Sequence, residues 1–205
     1  MTGTSTDWSS FALLLIDVQQ DFWPKAVADA FPDLPERVER LLAICRAGGI
    51  SVIHLRAAFA KDQSDWMAKY RLLGTVPCIR GTAGAEVLRC ADALPGEPVI
   101  EKQVFDGFQT EALLPLLQRQ GKRFLLLAGI ETSVCVLFTA ASGAQLGFLT
   151  AVVEDCCADR PDKHRHALED YPFIFERVTV ANMTGQHARW TAMLEELDRG
   201  KAPTG

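Results

Sequence analysis

Long apolar runs are missing from this sequence. A membrane-spanning helix needs about 20 consecutive apolar residues, and no stretch of the 205 residues approaches that length. The first ten residues are polar and have neither the basic region nor the apolar region of a signal peptide. These absences predict a cytoplasmic protein with no membrane partner.

The chain also lacks blocks of one charge, internal repeats, low-complexity tracts and any segment that resembles a linker. Its net charge of −5 comes without the basic patch typical of proteins that bind nucleic acid or anionic membranes. A small molecule is therefore the expected partner. A chain of this length suffices for one well-buried core, and we predict a single domain over residues 1–205.

Cysteine occurs six times, but nothing indicates a disulfide framework. In an intracellular chain of this size cysteines are mostly reduced. Cys156 and Cys157 are adjacent in a strand-like segment, where they would face opposite ways. We interpret them as a packing pair rather than a redox couple.

Apolar runs of strand length alternate with segments of helical periodicity. The runs cover residues 11–16, 50–55, 98–101, 123–128, 148–153 and 177–180. The helical segments run from Asp33 to Gly48–Gly49 and over 110–120, 132–146, 161–170 and 185–197, and Asp33 with Glu36 is a predicted capping box. This alternation is typical of α/β proteins. We predict a three-layer, doubly wound, Rossmann-like fold whose six-stranded, mainly parallel sheet carries helices on both faces.

Three of the predicted strands end at residues with reactive side chains. Asp17 follows the first run, Lys102 follows the third, and Cys135 lies where the fourth gives way to a helix. If the strand order is 3-2-1-4-5-6, the first and fourth strands flank one crevice at their carboxyl ends. Taken singly, these residues are more often a core cysteine, a helix cap and a surface charge. Their convergence predicts a site with a nucleophile, a base and a cation, in which the helix N-terminus favours a thiolate.

The segments around these positions resemble the isochorismatase-like cysteine hydrolases, over roughly residues 11–182. The resemblance rests on residues 14–22, 77–82, 100–102 with Phe105 and Phe108, and 129–136. It implies that Cys135 is the nucleophile, that Asp17 accepts and donates the proton, and that Lys102 is the cation between them. It also implies a cis peptide bond at Ile130–Glu131, an oxyanion hole made by the backbone N–H groups of Glu131 and Cys135, and a homo-oligomer, either a dimer or a tetramer.

One motif of the related nicotinamidases is missing. They carry an Asp-x-His metal motif shortly after the second strand, where this chain reads Arg56-Ala57-Ala58-Phe59-Ala60. We therefore expect neither a metal ion nor another cofactor. His54 is predicted to be a core histidine, and His164 and His166 are predicted to be surface residues.

True isochorismatases cleave a vinyl ether and typically lack the cysteine. Cys135 therefore favours hydrolysis of a C–N bond in a small amide or carbamoyl compound, through a thioester-type acyl-enzyme. Vinyl ether hydrolysis and a non-catalytic, redox-sensing role of Cys135 stay open as alternatives. The irregular stretch 57–96 is expected to cover the site. Candidates for substrate binding, near the triad segments, are Gln19, Phe22, Trp23, Trp66, Tyr70, Phe105 and Phe108.

Overall fold

The computed structural model describes residues 6–200 and contains one six-stranded sheet. Its strands are β1 (Phe11–Ile16), β2 (Ser51–Ala57), β3 (Val99–Lys102), β4 (Phe124–Ile130), β5 (Leu149–Ala158) and β6 (Glu176–Val178). The strand order is β3-β2-β1-β4-β5-β6, and each adjacent pair is parallel. The predicted α/β fold and strand order are therefore confirmed.

Seven α-helices are described within residues 6–200. They are α1 (Lys25–Ala30), α2 (Leu34–Gly48), α3 (Ala68–Leu73), α4 (Leu113–Arg119), α5 (Leu137–Gln145), α6 (Pro161–Glu169) and α7 (His187–Arg199). A π-helical turn, Thr132–Val136, leads directly into α5. None of the helices in this part of the chain is long and apolar enough to cross a membrane.

Helix α2 shows how the amphipathic pattern positions an element. Its apolar face, which the sequence predicts, is buried and consists of Leu34, Val38, Leu41, Leu42 and Cys45. The helix ends at Gly49, whose φ of 75° is the left-handed conformation that glycine adopts readily. The predicted capping box is wrong. Asp33 has helical backbone angles and makes no cap hydrogen bond, because its carboxylate accepts from Arg37 at 3.0 Å, and Pro35 has no N–H to donate.

Several element boundaries differ from the prediction. Helices α1 and α3 are short and were not predicted, and α4 begins at Leu113 rather than at residue 110. That start places Pro115 in the first turn, where its missing N–H removes no helical hydrogen bond. Strand β5 continues past its apolar run and includes the charged residues Glu154 and Asp155. Glu154 is accommodated in the strand because it forms an ion pair with Arg177 of β6 at 2.6 Å.

The central strands β1 and β4 are buried along their whole length and form the middle of the core. All six cysteines are buried and free, and Cys156 and Cys157 lie in β5, as predicted. His54 is a core histidine, also as predicted. Its Nε2 lies 2.9 Å from the carboxylate of Glu97, which Arg46 holds from the other side at 2.8 Å. This network ties β2 and α2 to the segment before β3.

Candidate active site

The carboxyl edge of the sheet brings three reactive side chains together. Lys102 is the last residue of β3, Asp17 follows β1, and Cys135 lies in the π-helical turn after β4. The Nζ of Lys102 is 2.6 Å from Oδ2 of Asp17 and 3.6 Å from Sγ of Cys135. Asp17, Lys102 and Cys135 are 0%, 1% and 5% exposed. The structure therefore unites the three residues that the sequence singled out.

The backbone around Asp17 is held in an unusual conformation. Asp17 has a φ of 51°, and its Oδ1 accepts a hydrogen bond from the amide of Ala57 at 2.8 Å. Gln19 binds the same residue through both amide atoms, with its Oε1 accepting from Ala57 N and its Nε2 donating to Ala57 O. Gln19, a predicted substrate contact, is not among the residues that line the pocket described below, and its side-chain amide joins the segment after β1 to Ala57 of β2 and to Ala85 O.

Close packing of β1 and β4 requires Gly129. A Cβ on this residue would lie 1.9 Å from the carbonyl oxygen of Ile16, and its φ is 134°. Only glycine satisfies both conditions. The close approach places the end of β4, and with it the cysteine turn, directly beside Asp17.

The turn that carries Cys135 is fixed by side chains from neighbouring elements. Asp159 is buried, and its Oδ2 accepts from both N and Oγ of Ser133, at 2.9 and 2.6 Å. Thr139 donates from Oγ1 to the carbonyl of Cys135 at 2.7 Å. The Ile130–Glu131 peptide bond is cis, at the position that the resemblance implies. These contacts set the direction in which the thiol points.

His164 is not a surface residue, contrary to the prediction. It is half-buried, its Nδ1 lies 2.8 Å from Oγ1 of Thr132, and its ring meets Phe31 edge-on. Burial lowers the pKa of His164. His166, two residues further along α6 and on a different face of the helix, is exposed as predicted. Helix α6 therefore contacts the cysteine turn through His164. The charged sequence of this helix did not indicate such a contact.

The electrostatics of the site favour the neutral thiol of Cys135 over the thiolate. Burial raises the pKa of Cys135 well above its ordinary value, and the charge of Asp17 raises it further, while Lys102 acts in the opposite direction. Burial also raises the pKa of Asp17. Burial lowers the pKa of Lys102, but the charges of Asp17 and Cys135 outweigh it and the net shift is upward. Burial is thus the largest influence on the pKa of this thiol, and it opposes the stabilisation of a thiolate that the sequence predicts from Lys102.

A small pocket opens in front of the thiol. The space that admits water-sized molecules is about 30 Å³, and the whole concavity with its open mouth is about 300 Å³. Its lining is mostly apolar and consists of Asp17, Phe22, Ala57, Phe59, Tyr70, Pro77, Lys102, Val104, Phe105, Glu131, Val134 and Cys135. Phe22, Tyr70 and Phe105 are thus placed at the pocket, as predicted.

Three predicted pocket residues are elsewhere. Trp66 packs in a small separate cluster and donates from Nε1 to Ala60 O at 2.7 Å. Phe108 lies against Phe148, with ring centroids 5.8 Å apart, and Trp23 packs on the main core. Proximity in the chain to a triad residue did not reveal the direction of these side chains.

Phe59, Pro77, Val104 and Val134 line the pocket, but the prediction did not include them. Pro77 and Val134 lie inside the motifs that carry the family resemblance, which is the only signal that pointed to them. The described residues, 6 to 200, contain no group of three or more His, Cys, Asp or Glu side chains that could hold a metal ion.

Known proteins resemble this chain in sequence over the segments that carry the three reactive side chains. The family model for the isochorismatase domain matches residues 11–182. The chain is 32% identical over 189 residues to maleamate amidohydrolase from Pseudomonas putida, which covers 88% of each chain. It is 29% identical over 193 residues to streptothricin hydrolase from Streptomyces noursei, covering 91% of this chain and 60% of that protein.

The solved structures that resemble this chain include members of the same family. An isochorismatase family protein from Desulfovibrio vulgaris matches with a TM-score of 0.80 and 29% identity, covering 87% of this chain and 98% of that one. The match of the family model extends from the start of β1 to beyond β6, so it includes the whole sheet and all three reactive side chains. This chain therefore belongs to the isochorismatase family of hydrolases.

Proposed function

We propose that this protein is a cysteine amidohydrolase that cleaves the C–N bond of a small amide or carbamoyl compound without a metal ion. One observation carries the proposal: at the bottom of a mostly apolar pocket, the ammonium group of Lys102 lies 2.6 Å from the carboxylate of Asp17 and 3.6 Å from the thiol of Cys135. Such a set supplies a nucleophile, a base and a charge that balances both.

The first step is transfer of the Cys135 proton to Asp17. A raised pKa makes the Asp17 carboxylate a stronger base than an ordinary aspartate. The transfer moves one negative charge from Asp17 to Cys135, and Lys102, which contacts both groups, stabilises that charge before and after the transfer. The thiolate then attacks the carbonyl carbon of the substrate, and the backbone N–H groups of Glu131 and Cys135 would bind the oxyanion.

The second step is collapse of the tetrahedral intermediate. The C–N bond breaks, Asp17 returns its proton to the leaving nitrogen, and a thioester to Cys135 remains. Asp17 then takes a proton from water, the resulting hydroxide attacks the thioester, and the acid product leaves as the thiol regains its proton. Each proton that Asp17 accepts is given back, so the cycle ends with the site in its starting state.

The dimensions of the pocket support a small reacting group. The space next to Cys135 holds little more than one or two water-sized molecules. A primary carboxamide or a carbamoyl group fits this space, and the rest of the substrate would lie in the mouth beside Phe105 and Tyr70. The 32% identical relative is a maleamate amidohydrolase by name, which agrees with an amide as the scissile group.

The experiment is a panel of primary amides and carbamoyl compounds, scored by release of ammonia. The Cys135→Ala protein is the blank, and a parallel series contains a chelator. We expect ammonia release that requires Cys135 and survives chelation. Product analysis with isochorismate tests vinyl ether cleavage. If neither the panel nor isochorismate gives Cys135-dependent turnover, the catalytic proposal is wrong, and that result favours the redox-sensing role of Cys135.

We further propose that the protein forms a homo-oligomer through the rim of the pocket. Phe105 and Phe138 are 37% and 45% exposed, and their ring centroids are 6.2 Å apart. Tyr70 continues this aromatic surface, and Leu73 on the same helix α3 is also exposed. Adjacent exposed apolar side chains of this size favour burial against another protein surface.

A further inference from the structure

The carboxylate of Glu131 has no role in the mechanism above, which uses only the backbone of this residue. Glu131 lines the pocket and is half-buried, and its charge acts on two other lining residues: burial, and after it nearby negative charges that include Glu131, raise the pKa of the Tyr70 hydroxyl and of the Cys135 thiol. Within residues 6–200 the carboxylate takes part in no hydrogen bond or ion pair, although acidic groups elsewhere in the site, such as Asp17 and Asp159, have several partners. A half-buried carboxylate beside a substrate pocket is therefore available to a ligand.

The walls of the pocket add a second observation. Four aromatic rings line it, those of Phe22, Phe59, Tyr70 and Phe105. Phe59 meets Tyr70 edge-on with centroids 5.5 Å apart, and Tyr70 meets Phe105 in the same way at 6.3 Å. The faces of aromatic rings attract cations within about 6 Å. Aromatic walls and one carboxylate are the groups that recognise an ammonium group.

The lining of the described pocket also has no free cationic side chain to pair with a substrate carboxylate. Lys102 is the one cationic side chain in the lining of the described pocket, and it is committed to Asp17 at 2.6 Å. Arg160 and Lys163 lie near enough to influence the pKa of Glu131, but both are exposed and neither lines the pocket. Burial raises the pKa of Glu131, and binding of a cation should accordingly weaken as the pH falls.

We propose that Glu131 selects substrates that carry a cationic group, so that the natural substrate is a small amide with an ammonium or similar cation at its far end. This inference rests on the proposed function and names the substrate class for the same site. The amide group lies against Cys135, and the cation lies among Glu131, Tyr70 and Phe105 at the mouth. Maleamate carries a carboxylate, so the preference of this chain should differ from that of the relative named for it.

Three amides of similar length test the proposal: 4-aminobutanamide, which is cationic, pentanamide, which is neutral, and succinamate, which is anionic. We expect kcat/KM to be at least tenfold higher for the cation than for the neutral amide, and lowest for the anion. In Glu131→Gln, which keeps the backbone N–H and the side-chain volume, the ratio between cation and neutral amide should fall at least tenfold. Glu111→Gln removes the same charge from an exposed position and should keep the wild-type ratio.

The proposal is overturned if wild type prefers pentanamide or succinamate, or if Glu131→Gln keeps the ratio. A binding measurement separates this failure from failure of the proposed function. In the Cys135→Ser protein, calorimetry should give a dissociation constant for 4-aminobutanamide at least tenfold below that for pentanamide, and the difference should vanish when Glu131→Gln is added. Selective binding without turnover in wild type would refute the amidohydrolase but support the cation site. Equal or undetectable binding of the two amides would refute the cation site, whatever the turnover.

Discussion

Replacement of Lys102 by Met is the most informative test of the site. The substitution keeps the length of the side chain and removes a charge that lies 2.6 Å from Asp17 in an environment with almost no solvent. Removing one partner of a buried ion pair costs about 3–5 kcal/mol when the other charge stays behind. Asp17 can limit this cost by taking up a proton. We therefore expect a loss of about 3 kcal/mol in the free energy of unfolding at neutral pH.

The same substitution should abolish most activity. With Lys102 gone, the pKa of Asp17 rises further, and a protonated Asp17 cannot accept the proton of Cys135. The expected fall in kcat/KM is on the order of 10²- to 10⁴-fold, as for a positioned acid–base group. Denaturant unfolding gives the stability, and ammonia release from the best amide of the panel gives the rate.

A matched set of variants isolates the effect of the charge. Asp17→Asn combined with Lys102→Met leaves no unpaired charge, so the double variant should recover most of the stability that Lys102→Met loses. The thiol is best compared between Asp17→Asn and this double variant, because the acid is neutral in both. Cys135 should be alkylated at a lower pH in Asp17→Asn, where Lys102 still stabilises the thiolate. The reasoning is refuted if Lys102→Met is as stable as wild type and within tenfold of its rate, or if the two thiol titrations coincide.

Four further predictions concern other parts of the molecule. Cys135 should be the first of the six cysteines to be alkylated, because it alone lines the candidate active site, and peptide mapping that finds another cysteine labelled first would contradict the assignment. Asp159→Asn should lower kcat at least tenfold with little change in KM, since Asp159 directs the cysteine turn through Ser133; an equal change in KM would indicate a different role. Burial alone would raise the pKa of Glu97, but its hydrogen bonds, of which the one from Arg46 has the largest effect, lower the pKa from 4.5 to about 2. The Glu97 carboxylate therefore stabilises the folded state fully above pH 4.5 and loses this contribution as the pH falls to 2. The contribution is at most about 3 kcal/mol. Glu97→Gln should therefore be less stable than wild type at pH 7 and approach it near pH 2, and parallel unfolding curves at all pH values would refute this. Phe138→Asp should shift sedimentation toward a 22.5 kDa monomer, and a wild-type protein that is already monomeric at micromolar concentration would exclude the oligomer.

Local sequence was enough to predict the position of the reactive groups. A strand ends where its apolar run stops, so the residues at the strand ends can be read from the sequence. The alternation of strands and helices in turn allows few topologies for a parallel sheet. Asp17, Lys102 and Cys135 could therefore be assigned to one edge without knowledge of any contact. The requirement for glycine at position 129 was not predicted, because a Cβ there would collide with the carbonyl oxygen of Ile16 only in the register that β1 and β4 adopt.

Only the tertiary structure decided which side chains face the pocket and in what protonation state. Phe59 and Tyr70 line it while Trp66 does not, because the packing of the irregular stretch 57–96 is set by contacts far apart in sequence. The upward shift of the Cys135 pKa is likewise caused chiefly by burial, which has no signature in a local motif. A pattern of residues determines where a chain ends its strands, whereas solvent exclusion, and with it the charge state and the ligand that the pocket accepts, exists only once the chain has folded.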